Sequence, residues 1–342
     1  MSSDALKHVR ERIDNYVQTV AAVWAVISVV TWDSKVRRVR EGRRYAVGRR
    51  MTPVTGGPDL TPDLVAQLGA GAGFLAEAKR TLPADEKRWG DALTQVARYD
   101  KPLRGWWTAD ETIEDHDVAL LVHQSLGPRL IAYQRKLEGE NRTSFRRNLC
   151  VIEFGLSEQV NQRMFVCLRQ GNLRDAQCSE RMEMGVMVPM ERVVATYGPK
   201  SFYDSAPEPE YLMAFIWNDF VVPGRQGRTR DEKGKIEVPL SVAAMADELQ
   251  RAFGAQASAP REIEYPKQAW IRRAMDCFVS LKLARRVDDD KYIVIYKEFR
   301  SDLIERFHRF RKLEAAKIKG ASRRGKRSRG SSDGTPDLSP EN

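Results

Sequence analysis

Residues 64–79 constrain the fold most. Two short apolar runs, Leu64 to Leu68 and Phe74 to Ala76, flank a Gly-rich link, Gly69-Ala70-Gly71-Ala72-Gly73. Runs of this length bounded by glycine predict two paired strands joined by a hairpin. Residues i and i+2 of a strand share a face, so Glu77 and Lys79 point together while Ala78 turns away. With the strands in register, Asp63 at the head of the first run joins that face.

Two carboxylates beside an ammonium have a definite chemistry. Mg²⁺ takes one or two carboxylates plus waters and phosphate oxygens, a set that Asp63, Glu77 and the Ala78 carbonyl match. A lysine next to such an ion steers or deprotonates an attacking water, or stabilises a crowded phosphate. A second Pro-Asp pair, Pro58-Asp59, lies just upstream, and Asp59 is either the alternative ligand or a turn residue. Asp63 is preferred because an apolar strand follows it directly. Downstream, residues 83–101 predict a helix opened by Pro83 and Asp85, with Trp89, Leu93, Val96 and Ala97 apolar. On it Gln95 and Tyr99 are four apart and share a face.

These segments resemble the PD-(D/E)xK nuclease superfamily. Pro62-Asp63 matches its PD element, Glu77-Ala78-Lys79 its (D/E)xK, and Gln95-Val96-Ala97-Arg98-Tyr99 the QxxxY element of the RecB-like branch. The resemblance implies an α/β fold, a restriction-endonuclease-like mixed sheet flanked by helices. It also implies Mg²⁺- or Mn²⁺-dependent hydrolysis of DNA phosphodiesters, as in bacterial restriction, anti-phage defence or repair. Asp63 and Glu77 would hold the metal, Lys79 assist the water, and Gln95 and Tyr99 orient the phosphate. The family often adds an acid on its first helix, which points to Glu11; as a polar-face residue Glu11 otherwise reads as surface.

Charge adds a partner. The net charge of +10 is concentrated in two places. Lys35, Arg37, Arg38, Arg40, Arg43, Arg44, Arg49 and Arg50 are offset only by Glu41, and residues 315–330 carry Lys317, Lys319, Arg323, Arg324, Lys326, Arg327 and Arg329 with no acid. Such runs suit the phosphates of DNA, because neutralising them releases counterions. Arg37, Arg38 and Arg40 would lie beside the site and track the DNA backbone.

The rest of the chain predicts a second kind of unit. An amphipathic helix over residues 4–27 opens the chain, with Val20 to Val30 read as its end running into a strand. Residues 117–123, 149–154 and 163–168 predict strands, and Leu130-Ile131-Ala132-Tyr133 another. From Glu210 onward come a helix, a short strand at Ile236-Glu237-Val238, helices over 241–253 and 266–281, and a hairpin around Asp288-Asp289-Asp290. Two helices followed by a hairpin resemble a winged helix, whose recognition helix would present Lys267, Gln268, Arg272 and Arg273 to the major groove. The expected organisation is a nuclease-like domain over 1–200, a winged helix over 205–297, a C-terminal helix over 298–318 and a disordered basic tail over 319–342.

Several classes are disfavoured. The four cysteines, Cys150, Cys167, Cys178 and Cys277, form no CxxC pair and are expected to be reduced core residues. No run of eighteen apolar residues exists, so the chain is expected to be cytoplasmic and without a membrane partner. It is expected to form a homodimer or to serve as a subunit of a multi-protein complex. The rival to an enzyme is a non-catalytic DNA-binding or scaffold subunit that keeps the nuclease fold.

Overall fold

The computed structural model describes residues 3–33, 38–39, 42–68, 72–79, 86–108, 110–140, 142, 145, 149–157, 163–189, 206–226, 228, 230, 235–254, 265–298, 303–309 and 311. The basic tail over 319–342 lies outside them. So do Arg37, Arg40 and the side chain of Arg38. The chain divides into two compact units, one over Lys7–Pro207 with Ala246–Lys267, the other over Glu208–Met245 and Gln268–Asn342 with Met1–Leu6.

In the first unit, α1 (Ser3–Thr31) begins as an amphipathic helix through Val9, Ile13, Tyr16 and Val20 and becomes buried almost all round. It runs through Val20–Val30 to Thr31 and passes directly into the strand Trp32–Asp33, so the helix end does run into a strand, four residues beyond residue 27. Its hydroxyls are satisfied within the helix: Thr19, Ser28 and Thr31 donate to the carbonyls of Asn15, Trp24 and Ile27 at 2.7, 2.8 and 2.6 Å. The helix is long and apolar enough to cross a membrane, yet 72% of its most apolar window is buried within the protein, as in a core helix.

The elements that follow are β1 (Trp32–Asp33), β2 (Arg38–Val39), β3 (Arg43–Val47), β4 (Thr52–Pro53), β5 (Leu64–Leu68), β6 (Gly73–Lys79), α2 (Glu86–Ala97), β7 (Leu103–Arg104), β8 (Thr112–Ile113), β9 (His116–His123), α3 (Gly127–Gly139), β10 (Cys150–Ser157), β11 (Arg163–Gln170), α4 (Ala176–Glu183) and β12 (Val186–Pro189). Seven strands form one mixed sheet, ordered β12-β11-β10-β9-β6-β5-β3. Its centre, β6-β9-β10, is parallel, and the outer pairings are antiparallel. A parallel neighbour requires a crossover, and α2 and α3 supply the two that are needed. Helices flank the sheet, so the fold is α/β.

One face of the sheet packs Val65, Leu75, Val118, Leu120, Val122 and Val151 against Trp89, Leu93 and Val96 of α2 and Leu130 and Leu137 of α3. The other receives α1, whose Trp24 meets Tyr45 of β3 edge to face at 6.0 Å. Leu130–Tyr133 lies in α3 and is not a strand. Pro128 near the start of this helix and the buried series Leu130, Gln134, Leu137 follow a helical period that a four-residue apolar run conceals. The small sheet β4-β7-β8 carries Trp106, which lies against Gly73, where an added Cβ would fall 2.3 Å from the indole.

The second unit opens with α5 (Pro209–Ile216), continued by a π-helical turn over Trp217–Val221 and a short turn over Val222–Gly224. Then come β13 (Ile236–Ser241), the start of α6 (Val242–Gly254), which from Ala246 on belongs to the first unit, α7 (Gln268–Ser280), β14 (Ala284–Arg286) and β15 (Lys291–Tyr296). The three strands pair antiparallel in the order β13-β15-β14. The turn is capped by acids: Asp288 accepts from the amides of Asp290 and Lys291 at 2.8 and 2.7 Å. Residues 303–309 are helical, and Phe307 packs against Phe278 and Trp217 with centroids at 5.4 and 6.1 Å.

Candidate active site

Strand register brings the acids together. Leu64 pairs with Ala76 across the β5-β6 ladder, so the residue before Leu64 meets the residue after Ala76. These are Asp63 and Glu77, with 2% and 3% of their surfaces exposed. Asp63 Oδ2 accepts the backbone N–H of Ala78 at 2.8 Å, which fixes its carboxylate beside Glu77. Asp59 is elsewhere: it is exposed in the preceding turn, accepts from Thr52 Oγ1 at 2.8 Å and pairs with Arg50 at 3.5 Å.

Glu77 is the hub. Its Oε1 accepts from Lys79 Nζ at 2.7 Å and from Gln95 Nε2 at 2.7 Å, and its Oε2 accepts the Tyr99 hydroxyl at 2.8 Å. Gln95 Nε2 also lies 3.3 Å from the Tyr99 oxygen. Three donors from two chain segments therefore meet on one carboxylate, and Asp63 from a third segment lies next to it. Tyr99 sits in the turn just past α2 rather than on the helix, because α2 ends at Ala97. Burial, then the Glu77 charge, pushes its phenol well above the ordinary value, so it remains a donor.

Support comes from one residue that spacing alone does not single out. His116, at the head of β9, lies 2.7 Å through Nε2 from the Tyr99 carbonyl oxygen, and its ring stands 5.4 Å from Trp106. The only sequence signal for it is the alternation of β9, which turns His116, Val118, Leu120 and Val122 to the α2 side. Glu11 is remote in character: it is exposed and paired with His8 at 3.2 Å on α1.

Among the described residues no group of three or more His, Cys, Asp and Glu side chains is placed to hold a metal ion. The site offers two nearly dry carboxylates. That number fits a cation of the Mg²⁺ type, which commonly takes one or two carboxylates and completes its shell with waters and phosphate oxygens. It does not fit a zinc centre closed by four protein ligands.

The other expected contacts are distributed along α7. Trp270, Ile271, Ala274, Met275 and Phe278 form its buried stripe, leaving Gln268 and Arg273 on the exposed side. Arg272 is half-buried, and its Nε reaches the Asp289 carbonyl at 3.4 Å. Lys267 precedes the helix, its ammonium 5.2 Å from the centre of the Tyr265 ring. Cys150, Cys167 and Cys178 are buried free thiols and Cys277 is half-buried. Compared with protein-family models, curated proteins and solved structures, the chain gives no match.

Proposed function

We propose that this chain is a Mg²⁺- or Mn²⁺-dependent deoxyribonuclease of the PD-(D/E)xK type, carried to duplex DNA by a winged helix. One observation carries the reading: Asp63, Glu77, Lys79, Gln95 and Tyr99, from three separate segments, converge around a single buried carboxylate. The order α1, β3, β5, β6, α2, β9 supports it, since two antiparallel pairings followed by a parallel crossover put Asp63 and Glu77 on one face of neighbouring strands, beneath the helix that the crossover supplies. The strand order β13-β15-β14, with α7 leading into the β14-β15 hairpin, supports the winged helix. Work on DNA in restriction, defence or repair is cytoplasmic in bacteria, which is where we place it.

Asp63 and Glu77 would hold the cation. When bound, it supplies positive charge to the phosphate and acidity to a water. Lys79, whose side chain is 29% exposed, bridges Glu77 to solvent and can carry a proton and a charge to the reacting phosphate. Gln95 and Tyr99 fix the rotamer of Glu77 by holding one oxygen each, which keeps the second carboxylate in place when Lys79 turns to the substrate.

A second reading has its own observation. Both oxygens of Glu77 are already satisfied within the protein, so the cluster is complete as a polar core. A scaffold that binds DNA without cutting it would need nothing more. Plasmid nicking with Mg²⁺ or Mn²⁺ decides between them. The nuclease reading expects cleavage by wild type and its loss in Glu77→Ala and Lys79→Ala; equal activity in all three proteins rejects it.

A further inference from the structure

A cavity of about 610 Å³ opens on the same face of the sheet as Glu77 and Lys79. The register shows the common face: Lys79 pairs with Val122 on β9, and Val122 with Glu153 on β10. Two strand spacings, about 10 Å, separate Lys79 from Glu153. Two residues further along β10, Gly155 lies opposite Phe165 of β11, which lies opposite Met187 of β12. These three make the floor, and Gln124, Ser157 and Arg169 make the rim. The cavity lies where the parallel strands β9 and β10 end, the usual place for ligands in α/β sheets.

The lining is held by close packing. An added Cβ at Gly155 would fall 2.7 Å from Gln124 Cδ, so only glycine lets that amide lie across the strand. An added Cβ at Gly185 would fall 2.8 Å from the Phe165 ring, so the ring rests on bare backbone. Arg169 sits at a break in the β10-β11 register, an irregularity of the kind that redirects a side chain. Its Nε donates to Glu153 Oε2 at 2.7 Å; the carboxylate is 4% exposed and the arginine 49%. Glu153 therefore anchors the guanidinium at the rim while half of that side chain stays open.

An aromatic face, a fixed cation and an amide edge around a cavity of this size match the three chemistries of one nucleotide: a base to stack, a phosphate and a hydrogen-bonding rim. We infer that this cavity holds one nucleotide of the nucleic-acid strand that reaches Glu77, a few nucleotides along from the bond there, its base on Phe165, its phosphate on Arg169 and its edge read by Gln124. The choice of a strand over a free nucleotide rests on the nuclease reading; the chemistry of the cavity does not.

The test uses the full chain carrying Glu77→Ala, so that binding is read without cleavage, and fluorescence anisotropy with a labelled single-stranded 12-mer. Phe165→Ala should weaken binding roughly tenfold through the lost stack. Phe165→Leu, which keeps the volume and loses the ring face, should weaken it similarly. Arg169→Gln should lower the slope of log affinity against log salt by about 1. Unchanged affinity in both Phe165 variants with an unchanged salt slope in Arg169→Gln overturns the assignment. Displacement of the 12-mer by micromolar deoxynucleoside monophosphate, abolished by Phe165→Leu, moves the cavity to a free nucleotide and overturns the strand. Phe165-dependent binding beside an inert wild-type enzyme would sink the hydrolase reading alone, whereas cleavage with no such dependence would sink the cavity alone.

Discussion

The hydroxyl of Tyr99 donates to Glu77 Oε2 at 2.8 Å, closing a ring of donors around a carboxylate that is 3% exposed. Removing that hydroxyl leaves a buried acceptor short of a partner. Tyr99→Phe should therefore destabilise the protein by about 1–3 kcal/mol, read by urea unfolding. The phenol's raised pKa gives the sign with pH. Its contribution is whole below the unfolded value near 10 and is lost as pH rises above it. The stability gap between wild type and Tyr99→Phe should narrow between pH 8 and pH 11, and a constant gap would contradict the linkage.

Lys79 and Glu77 should be coupled. Lys79→Met removes the cation from a nearly dry carboxylate and should cost about 1–3 kcal/mol, at the lower end because the lysine is partly solvated. Adding Glu77→Gln removes the stranded charge. The double variant should be at least about 0.5 kcal/mol more stable than the summed single losses imply. It should still be inactive in nicking, which separates the structural role of the pair from the catalytic one.

Phe307 has no exposed surface and meets Phe278 and Trp217. Phe307→Ala should lower the stability of the second unit by about 3–5 kcal/mol, seen as an earlier thermal transition. A transition unchanged in midpoint would show that the helix over 303–309 contributes nothing to that unit.

On α7 the exposed Gln268 and Arg273 lie opposite the buried stripe. If that helix enters the major groove, Arg273→Ala should weaken duplex binding and lower its salt slope by about 1. Gln268→Ala should alter preference among sequences more than overall affinity. Binding indifferent to both changes would leave α7 as a surface with another purpose.

The cluster at Glu77 was legible because its spacings are local: period two places Glu77 with Lys79, and Gln95 near the end of α2 lies only four residues before Tyr99 in the turn that follows. Its partner Asp63 needed only the hairpin register. The end of α1 was legible only to within a turn, since Val20 to Val30 is rich in strand formers and burial on nearly all sides carries the helix on to Thr31. The nature of α3 was hidden behind four apolar residues. The cavity was not legible at all, because Gly155, Phe165 and Met187 are neighbours only across strands and Arg169 is aimed by a register break. His116 reached the site the same way, through a ladder that brings Gly73 beside it.

Alternation in β6 has a consequence for folding itself. Were this strand to slip by one position against β5, Glu77 and Lys79 would turn toward the helix that carries Trp24, and Ala76 and Ala78 would replace them under α2. The ion pair would then be sealed among aliphatic groups, with neither Gln95 nor Tyr99 left to donate to Glu77, a penalty of several kcal/mol. The charged pair thus proofreads the pairing of the sheet, and a chain that lacks it should misalign more often when it refolds.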